Sequence, residues 1–227
     1  MRNFIIKIIL CFTFLSIAIS QNYSEIAKEA YGKQEYMLAR KNILLAINEK
    51  SQDVENNILA ANIYFHLDSL DKSLSFITTA LKKSQGEERK KSEAVANKIN
   101  KLRMLLKGAN KDYELGNFDA SISKYNEILL DYNNAIIYYR LGVVYKKEGM
   151  YKDAVLNFQK AMEINPFIDN YRKEITKVSK ILTKKGDEEA RMREYSNAVK
   201  YYQEAIEYSP MYSIAMYKLS DVYTRLK

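Results

Sequence analysis

One spacing constrains this chain more than any other feature. Small residues stand at Ala27, Ala61, Ala109, Gly142 and Gly186, and twelve residues after each comes Ala39, Ser73, Ser121, Ala154 or Ala198. Nineteen residues after the same starts stand Ala46, Ala80, Ile128, Ala161 and Ala205, so that Ile128 alone is not small. Large residues fall nine after each start, at Tyr36, Leu70, Phe118, Tyr151 and Tyr195. Sixteen after, they fall at Ile43, Ile77, Tyr125, Phe158 and Tyr202. Apolar residues three and four apart fill the intervals, which is the period of an amphipathic helix. Small side chains where helices cross let the backbones approach, and large ones fill the grooves beside them. A break separates the first small residue from the second, at Lys33-Gln34, Asp68-Ser69, Gly116-Asn117, Glu148-Gly149 and Arg193-Glu194. Each copy is therefore predicted to be a helical hairpin. The second helices stop at Ser51, Gln85-Gly86, Asn133-Asn134, Asn165-Pro166 and Ser209-Pro210; proline cannot continue a helix and restricts the residue before it.

The fourth copy reads Tyr138-x2-Leu141-Gly142-x2-Tyr145, then Gly149, Tyr151, Ala154, Phe158, Ala161 and Pro166. In this form it resembles the tetratricopeptide repeat (TPR). The fifth copy matches at Gly186, Tyr195, Ala198, Tyr202, Ala205 and Pro210, whereas Ser51, Gln85 and Asn133 replace the proline in the first three. Leu219, Ser220 and Tyr223 open a sixth copy that has a first helix only. The resemblance covers nearly all of 22–227. It implies an all-α, TPR-like α-solenoid of five helical hairpins plus a C-terminal capping helix. That helix is expected to meet the last core with Met216, Leu219, Tyr223 and Leu226, leaving Lys218, Asp221 and Arg225 on the other face. For function the resemblance implies a generic protein-binding scaffold and names no partner.

The starts lie 34, 48, 33 and 44 residues apart, where a uniform array keeps about 34. The excess lies at 88–101 and 169–178, neither of which contains a helix breaker, so each lengthens the following first helix. The expected organisation is repeats 1 and 2 over 21–87, a helical extension at 88–101 and repeats 3 and 4 over 102–168. A second extension at 169–178, repeat 5 over 179–212 and the capping helix over 213–227 follow. Each extension either covers an end of the preceding hairpin or offers a docking face, and the spacing leaves both open.

Residues 1–20 read as a leader. Arg2 and Lys7 accompany an apolar run at 4–19, and Ala18-Ile19-Ser20 places small residues at a cleavage site after Ser20. A retained N-terminal membrane anchor is the alternative, but sixteen helical residues reach only about 24 Å of a roughly 30 Å hydrocarbon core. Cleavage removes Cys11, the one cysteine, and lowers the net charge from +8 to +6. The chain is then expected to be exported, periplasmic or associated with the cell envelope.

Composition excludes several chemistries. One His and one Cys preclude a Cys/His zinc site or a disulfide framework, and seven Gly are too few for Gly-rich phosphate loops. A catalytic triad would rest wholly on His66, whose neighbours Asp68 and Asp71 suit turn and helix-start positions. No catalytic residue, metal or cofactor is expected, and the chain is read as non-enzymatic. The modest basic excess is interleaved with acid, with no basic arm, so no nucleic acid is expected either.

Most of the nineteen tyrosines occupy large positions of the repeat. Tyr113, Tyr139 and Tyr217 do not, and by the family resemblance they lie on the first-helix face that lines a concave groove. The same resemblance places Arg103, Lys107, Asn110, Arg140, Lys180, Lys184 and Lys218 on that face, with Asn62, His66 and Lys146. Arg103/Lys107 and Lys180/Lys184 are like charges four apart, each unfavourable by ~0.2–0.5 kcal/mol in a helix, which an anionic ligand would relieve. The family's carboxylate clamp is incomplete, since Leu106 and Arg140 stand where Lys and Asn are required. The expected partner is a protein or peptide of the envelope, a membrane-associated complex included. The alternative is an anionic glycan or polymer held by the same basic, tyrosine-bearing face.

Overall fold

The computed structural model describes residues 22–67 and 69–226, so the expected leader lies outside the described residues. Among these, eleven α-helices and no strand are present. They are α1 (22–32), α2 (Tyr36–Glu49), α3 (Val54–His66), α4 (Leu70–Lys83), α5 (Gly86–Glu114) and α6 (Phe118–Asp131), followed by α7 (Ala135–Lys147), α8 (Tyr151–Ile164), α9 (Asp169–Arg191), α10 (Tyr195–Tyr208) and α11 (Ser213–Arg225). The chain divides into two compact units. One runs to Asn110 and includes Glu127–Asn134; the other comprises Lys111–Asn126 and the chain from Ala135 onward.

The repeat pattern is the buried set. All fifteen residues of the three small positions are buried, Ile128 included, and so are Ile43, Ile77, Tyr125, Phe158 and Tyr202. In the first unit Ala27 and Ala30 of α1 share a core with Ala39, Ile43 and Ala46 of α2 and Leu59 and Ile63 of α3. In the second, Ala154 and Phe158 of α8 share one with Ile175, Val178 and Leu182 of α9. Ser73 shows why Ser serves at a crossing: its hydroxyl donates to the Ala61 carbonyl at 2.5 Å, so the polar atom is satisfied inside the hairpin.

Two crossings are closer still. A Cβ placed on Gly142 would lie 2.6 Å from the Phe158 ring and 3.0 Å from the Ala154 carbonyl oxygen. One placed on Gly186 would lie 2.6 Å from the Tyr202 ring. At these two crossings glycine stands where an aromatic ring lies across the first helix; Ala27 and Ala61 belong to copies whose corresponding residues are Ile43 and Ile77, and the third copy combines Ala109 with Tyr125.

The turns between helices repeat as backbone geometry. Glu35 N–H donates to the Ala30 carbonyl, Asn117 to Asp112, Met150 to Tyr145 and Glu194 to Glu189, each at 2.9 Å. The preceding N–H of Gln34, Gly116, Gly149 and Arg193 bonds three residues back. This is the Schellman arrangement, with a left-handed residue after the helix. Gly116 and Gly149 adopt it at φ +79°, while Gln34 and Arg193 are held there at φ +62°.

The long helices α5 and α9 run without a break. Arg89 caps the end of α4 by donating from Nη1 to the Leu81 carbonyl at 2.8 Å, while Ser92, Ile99 and Leu102 of α5 are buried. At 169–178, Tyr171 packs with Ala135 and Ala161, and Ile175 and Val178 join the Ala154–Phe158 core. This segment packs onto the preceding hairpin. The terminal helix corrects one expectation: α11 turns Ala215 and Val222 into the core, whereas Met216, Tyr223 and Leu226 remain exposed. Of the expected stripe, Leu219 alone is partly buried against Ala198, Tyr202 and Val222.

Gly142→Ala is expected to overpack the α7–α8 crossing and cost ~1–3 kcal/mol. Gly108→Ala is the internal control, because nothing lies within 4 Å of its added methyl in the middle of α5. It should gain about 1 kcal/mol of helix propensity. Urea unfolding followed by circular dichroism measures both. Equal effects of the two substitutions would show that the crossing is not close.

Candidate functional site

In the second unit the expected ligand residues sit at matching places on successive first helices. Tyr139 and Arg140 precede Gly142 by three and two residues, Lys184 precedes Gly186 by two, and Tyr217 and Lys218 precede Ser220 by three and two. On a helix these offsets put them on a common face. The α7 and α9 helices meet there through the Tyr139 and Tyr171 rings, 5.4 Å apart. Asn170 Nδ2 donates to the Tyr139 hydroxyl at 2.8 Å, and the Arg140 guanidinium stands 5.9 Å over the Tyr139 ring. Tyr139 is therefore half-buried and engaged. Tyr113 is also half-buried, its ring 5.8 Å from Phe118. Tyr217 differs, with 72% of its surface exposed.

A polar recess opens between α9, α10 and α11, lined by Asp187, Arg191, Tyr202, Lys218, Asp221 and Arg225 among others. Lys218 pairs with Asp187 at 3.1 Å, and the Tyr202 hydroxyl donates to the same carboxylate at 2.8 Å. Burial, then this hydrogen bond and the carboxylate's charge, push the Tyr202 phenol well above its ordinary value. It therefore stays a neutral donor. Arg225 pairs with Asp221 at 3.0 Å. Three cations face two carboxylates, so the recess can meet both signs of charge on a ligand. Sequence reasoning singled out Lys218 and missed Asp187 and Asp221. The signal was present, since each carboxylate directly follows its copy's small start residue.

The remaining residues divide between exposed and engaged. Lys180 and Lys184 are exposed on α9, and Lys184 lies 3.9 Å from Glu188 one turn on. In the first unit Arg103 lies 3.8 Å from Asp71 of α4, Lys107 is exposed and Asn110 is half-buried. His66 stacks on Tyr36, with ring centroids 4.7 Å apart, and its Nδ1 is 3.2 Å from the Asn133 carbonyl oxygen. Burial first, and then the nearby Lys98 charge, outweigh that hydrogen bond and hold the imidazole below its ordinary value. His66 is thus a packed, neutral ring joining α3 to the 132–134 turn, rather than a side chain offered to a ligand.

Two family models described as tetratricopeptide repeat match the chain, at residues 135–167 and 183–227. These two stretches are tetratricopeptide repeats. The matched stretches hold α7 with α8, and the later part of α9 with α10 and α11. The fold of the chain is all-α, and its repeat is a protein–protein interaction module. Among solved structures, it is similar to the TPR domain of P58(IPK), at 12% identity over 89% of this chain and 77% of that one, TM-score 0.42. It is also similar to a TPR protein of Thermus thermophilus, at 15% identity over 90% and 99%, TM-score 0.34. A third is a tetratricopeptide repeat protein from Parabacteroides merdae, at 16% identity over 92% and 74%, TM-score 0.32. No curated protein matches the chain at a significant level.

One expected face residue is committed elsewhere. Lys146 of α7 makes an ion pair and hydrogen bond with Glu174 of α9, and Lys177 donates to the same carboxylate at 2.5 Å. Glu174 is only 6% exposed. Burial pushes its carboxyl up, but the two lysine hydrogen bonds and charges outweigh burial and hold it below the ordinary 4.5. A carboxyl lowered on folding contributes stability above its unfolded value and loses it as pH falls through the folded one. Stability should therefore fall below about pH 4.5 in a component absent from Glu174→Gln. At neutral pH that substitution should cost ~3 kcal/mol, because it leaves Lys146 without its carboxylate. Urea melts of both proteins across the acid range measure this, and parallel pH profiles would exclude Glu174 as the source.

Proposed function

We propose that this chain is a non-enzymatic scaffold that holds an extended peptide, or the edge of a partner protein, on the first-helix face of its repeats. The observation that carries the reading is Tyr217. It is a largely exposed aromatic ring next in sequence to Lys218, which pairs with Asp187 in the lining of a recess with both signs of charge. Ile214, one turn earlier, is also exposed. An aromatic anchor beside charged, hydrogen-bonding groups is the composition of interface hot spots. Tyr139, Arg140, Lys180 and Lys184 continue this face, and Arg103, Lys107, Asn110 and Tyr113 supply its counterpart on α5.

The anionic-polymer alternative draws less support. Arg103, Lys184 and Lys218 each have a carboxylate within 4.0 Å inside the fold, which relieves part of the like-charge crowding that suggested a polyanion. Export and an envelope location are part of the proposal, supported by the basic start, the apolar run and the small residues before Gln21. Among the described residues no helix is long and apolar enough to cross a membrane.

The test is affinity capture from an envelope fraction with the wild type and with a Tyr217→Ala/Lys180→Glu variant. A protein or peptide retained by the wild type should bind the variant at least about tenfold more weakly. Its affinity should change only modestly between low and moderate salt, since polyanion binding through many phosphate-like contacts falls by orders of magnitude. A ligand insensitive to both substitutions would remove the face assignment, and a steep salt slope would favour the polymer. The mature protein's mass should begin at Gln21.

A further inference from the structure

Two successive first helices carry the same charged pair. Asp187 follows the small residue Gly186, with Arg191 four residues on, and Asp221 follows Ser220, with Arg225 four residues on. Residues four apart share a helix face. All four line the polar recess between α9, α10 and α11, a space of about 200 Å³. On α11 the pair closes, with Arg225 Nη2 3.0 Å from an Asp221 oxygen. On α9 it does not. Asp187 Oδ1 is taken by Lys218 of α11 at 3.1 Å and by the Tyr202 hydroxyl of α10 at 2.8 Å. Arg191 is exposed and has no ion pair among the described residues.

The recess therefore holds one guanidinium more than its own carboxylates satisfy. We infer that it receives a single carboxylate of the bound peptide, held by Arg191. This rests on the peptide-holding reading of the first-helix face and names the group that the face selects. The Arg225–Asp221 pair is the contact that Arg191 lacks. A guanidinium presents paired N–H donors that match the two oxygens of a carboxylate, and such a charge-assisted fork is stronger than a neutral hydrogen bond. Ala190 and Val222 give the lining an apolar part, suited to the methylene beside a carboxylate. Charge also sets the number. With Lys218 on Asp187 and Arg225 on Asp221, one ligand charge brings the recess to neutrality, and a second would meet two carboxylates with no free cation.

Nuclear magnetic resonance of the full chain tests the site, reading the Arg191 Nε–H signal and the backbone amides of Ala190 and Val222. The probes are acetyl-Gly-Glu-Gly-amide, its glutamine analogue, acetyl-Gly-Gly with a free C-terminus, and inorganic phosphate. The glutamate peptide should saturate these signals with a Kd on the order of 1 mM, and the glutamine peptide should bind at least about tenfold more weakly. Arg191→Gln should abolish the response without moving the thermal melt, while Arg191→Lys, which keeps the charge and loses the fork, should retain part of it. Tighter binding of acetyl-Gly-Gly than of the glutamate peptide would assign the carboxylate to a chain end, and the reverse to a side chain; either upholds the site. Equal binding of the glutamate and glutamine peptides, indifference to Arg191→Gln, or tighter binding of phosphate than of either carboxylate peptide overturns it. The captured envelope partner separates the two readings. Release by Tyr217→Ala/Lys180→Glu without weakening by Arg191→Gln would leave the face standing and remove the carboxylate site.

Discussion

Everything in this fold depends on how closely two helices of one hairpin can cross. At Gly142 and Gly186 the first helix presents bare backbone to an aromatic ring, and close packing at near-crystalline density leaves no room for even one methyl. In the first two copies alanine takes that place, at Ala27 and Ala61, and the residue sixteen on is the slimmer Ile43 or Ile77, whereas the third copy combines Ala109 with Tyr125. In the first two copies the pairing is a volume-conserving exchange.

The part of the structure that follows from helix crossings was legible in the sequence, because burial at a crossing restricts residue size and size is written in the chain. The helix stops were legible for a related reason: Pro166 and Pro210 act locally. Side-chain partnerships were not. Lys146 read as a face residue because its helical position points that way, yet Glu174 lies 28 residues on in a segment outside the repeat, and only packing brings them together. The α11 stripe failed similarly. Met216, Leu219, Tyr223 and Leu226 form a convincing apolar line, but the core side of a repeat helix is chosen by the hairpin before it, and that hairpin accepts Ala215 and Val222.

Charge is organised locally rather than as a field. Asp187 serves Lys218 and Tyr202, Asp221 serves Arg225, and Glu174 serves two lysines. Exposed pairs of this kind add little stability, but they orient side chains and leave a mosaic of donors and acceptors. A mosaic suits recognition of a peptide backbone and its side chains better than capture of a uniform polyanion. The buried Glu174 cluster has a different role, since it joins α7 to the early turns of α9 on the side where Tyr139 and Tyr171 also meet. The first helices α7 and α9 are thereby fastened to each other directly as well as through α8 between them.

The turns carry one more consequence. Four of them close with the same pair of main-chain hydrogen bonds and the same left-handed residue, whether that residue is Gly116, Gly149, Gln34 or Arg193. The angle at which a hairpin folds back is therefore written in backbone, and side chains on the outward faces take no part in setting it. Substitution on those faces can alter what the protein holds without altering how the helices are spaced. A lineage of such chains could change partners by drift at a few surface positions while keeping a fixed ruler of helices beneath them.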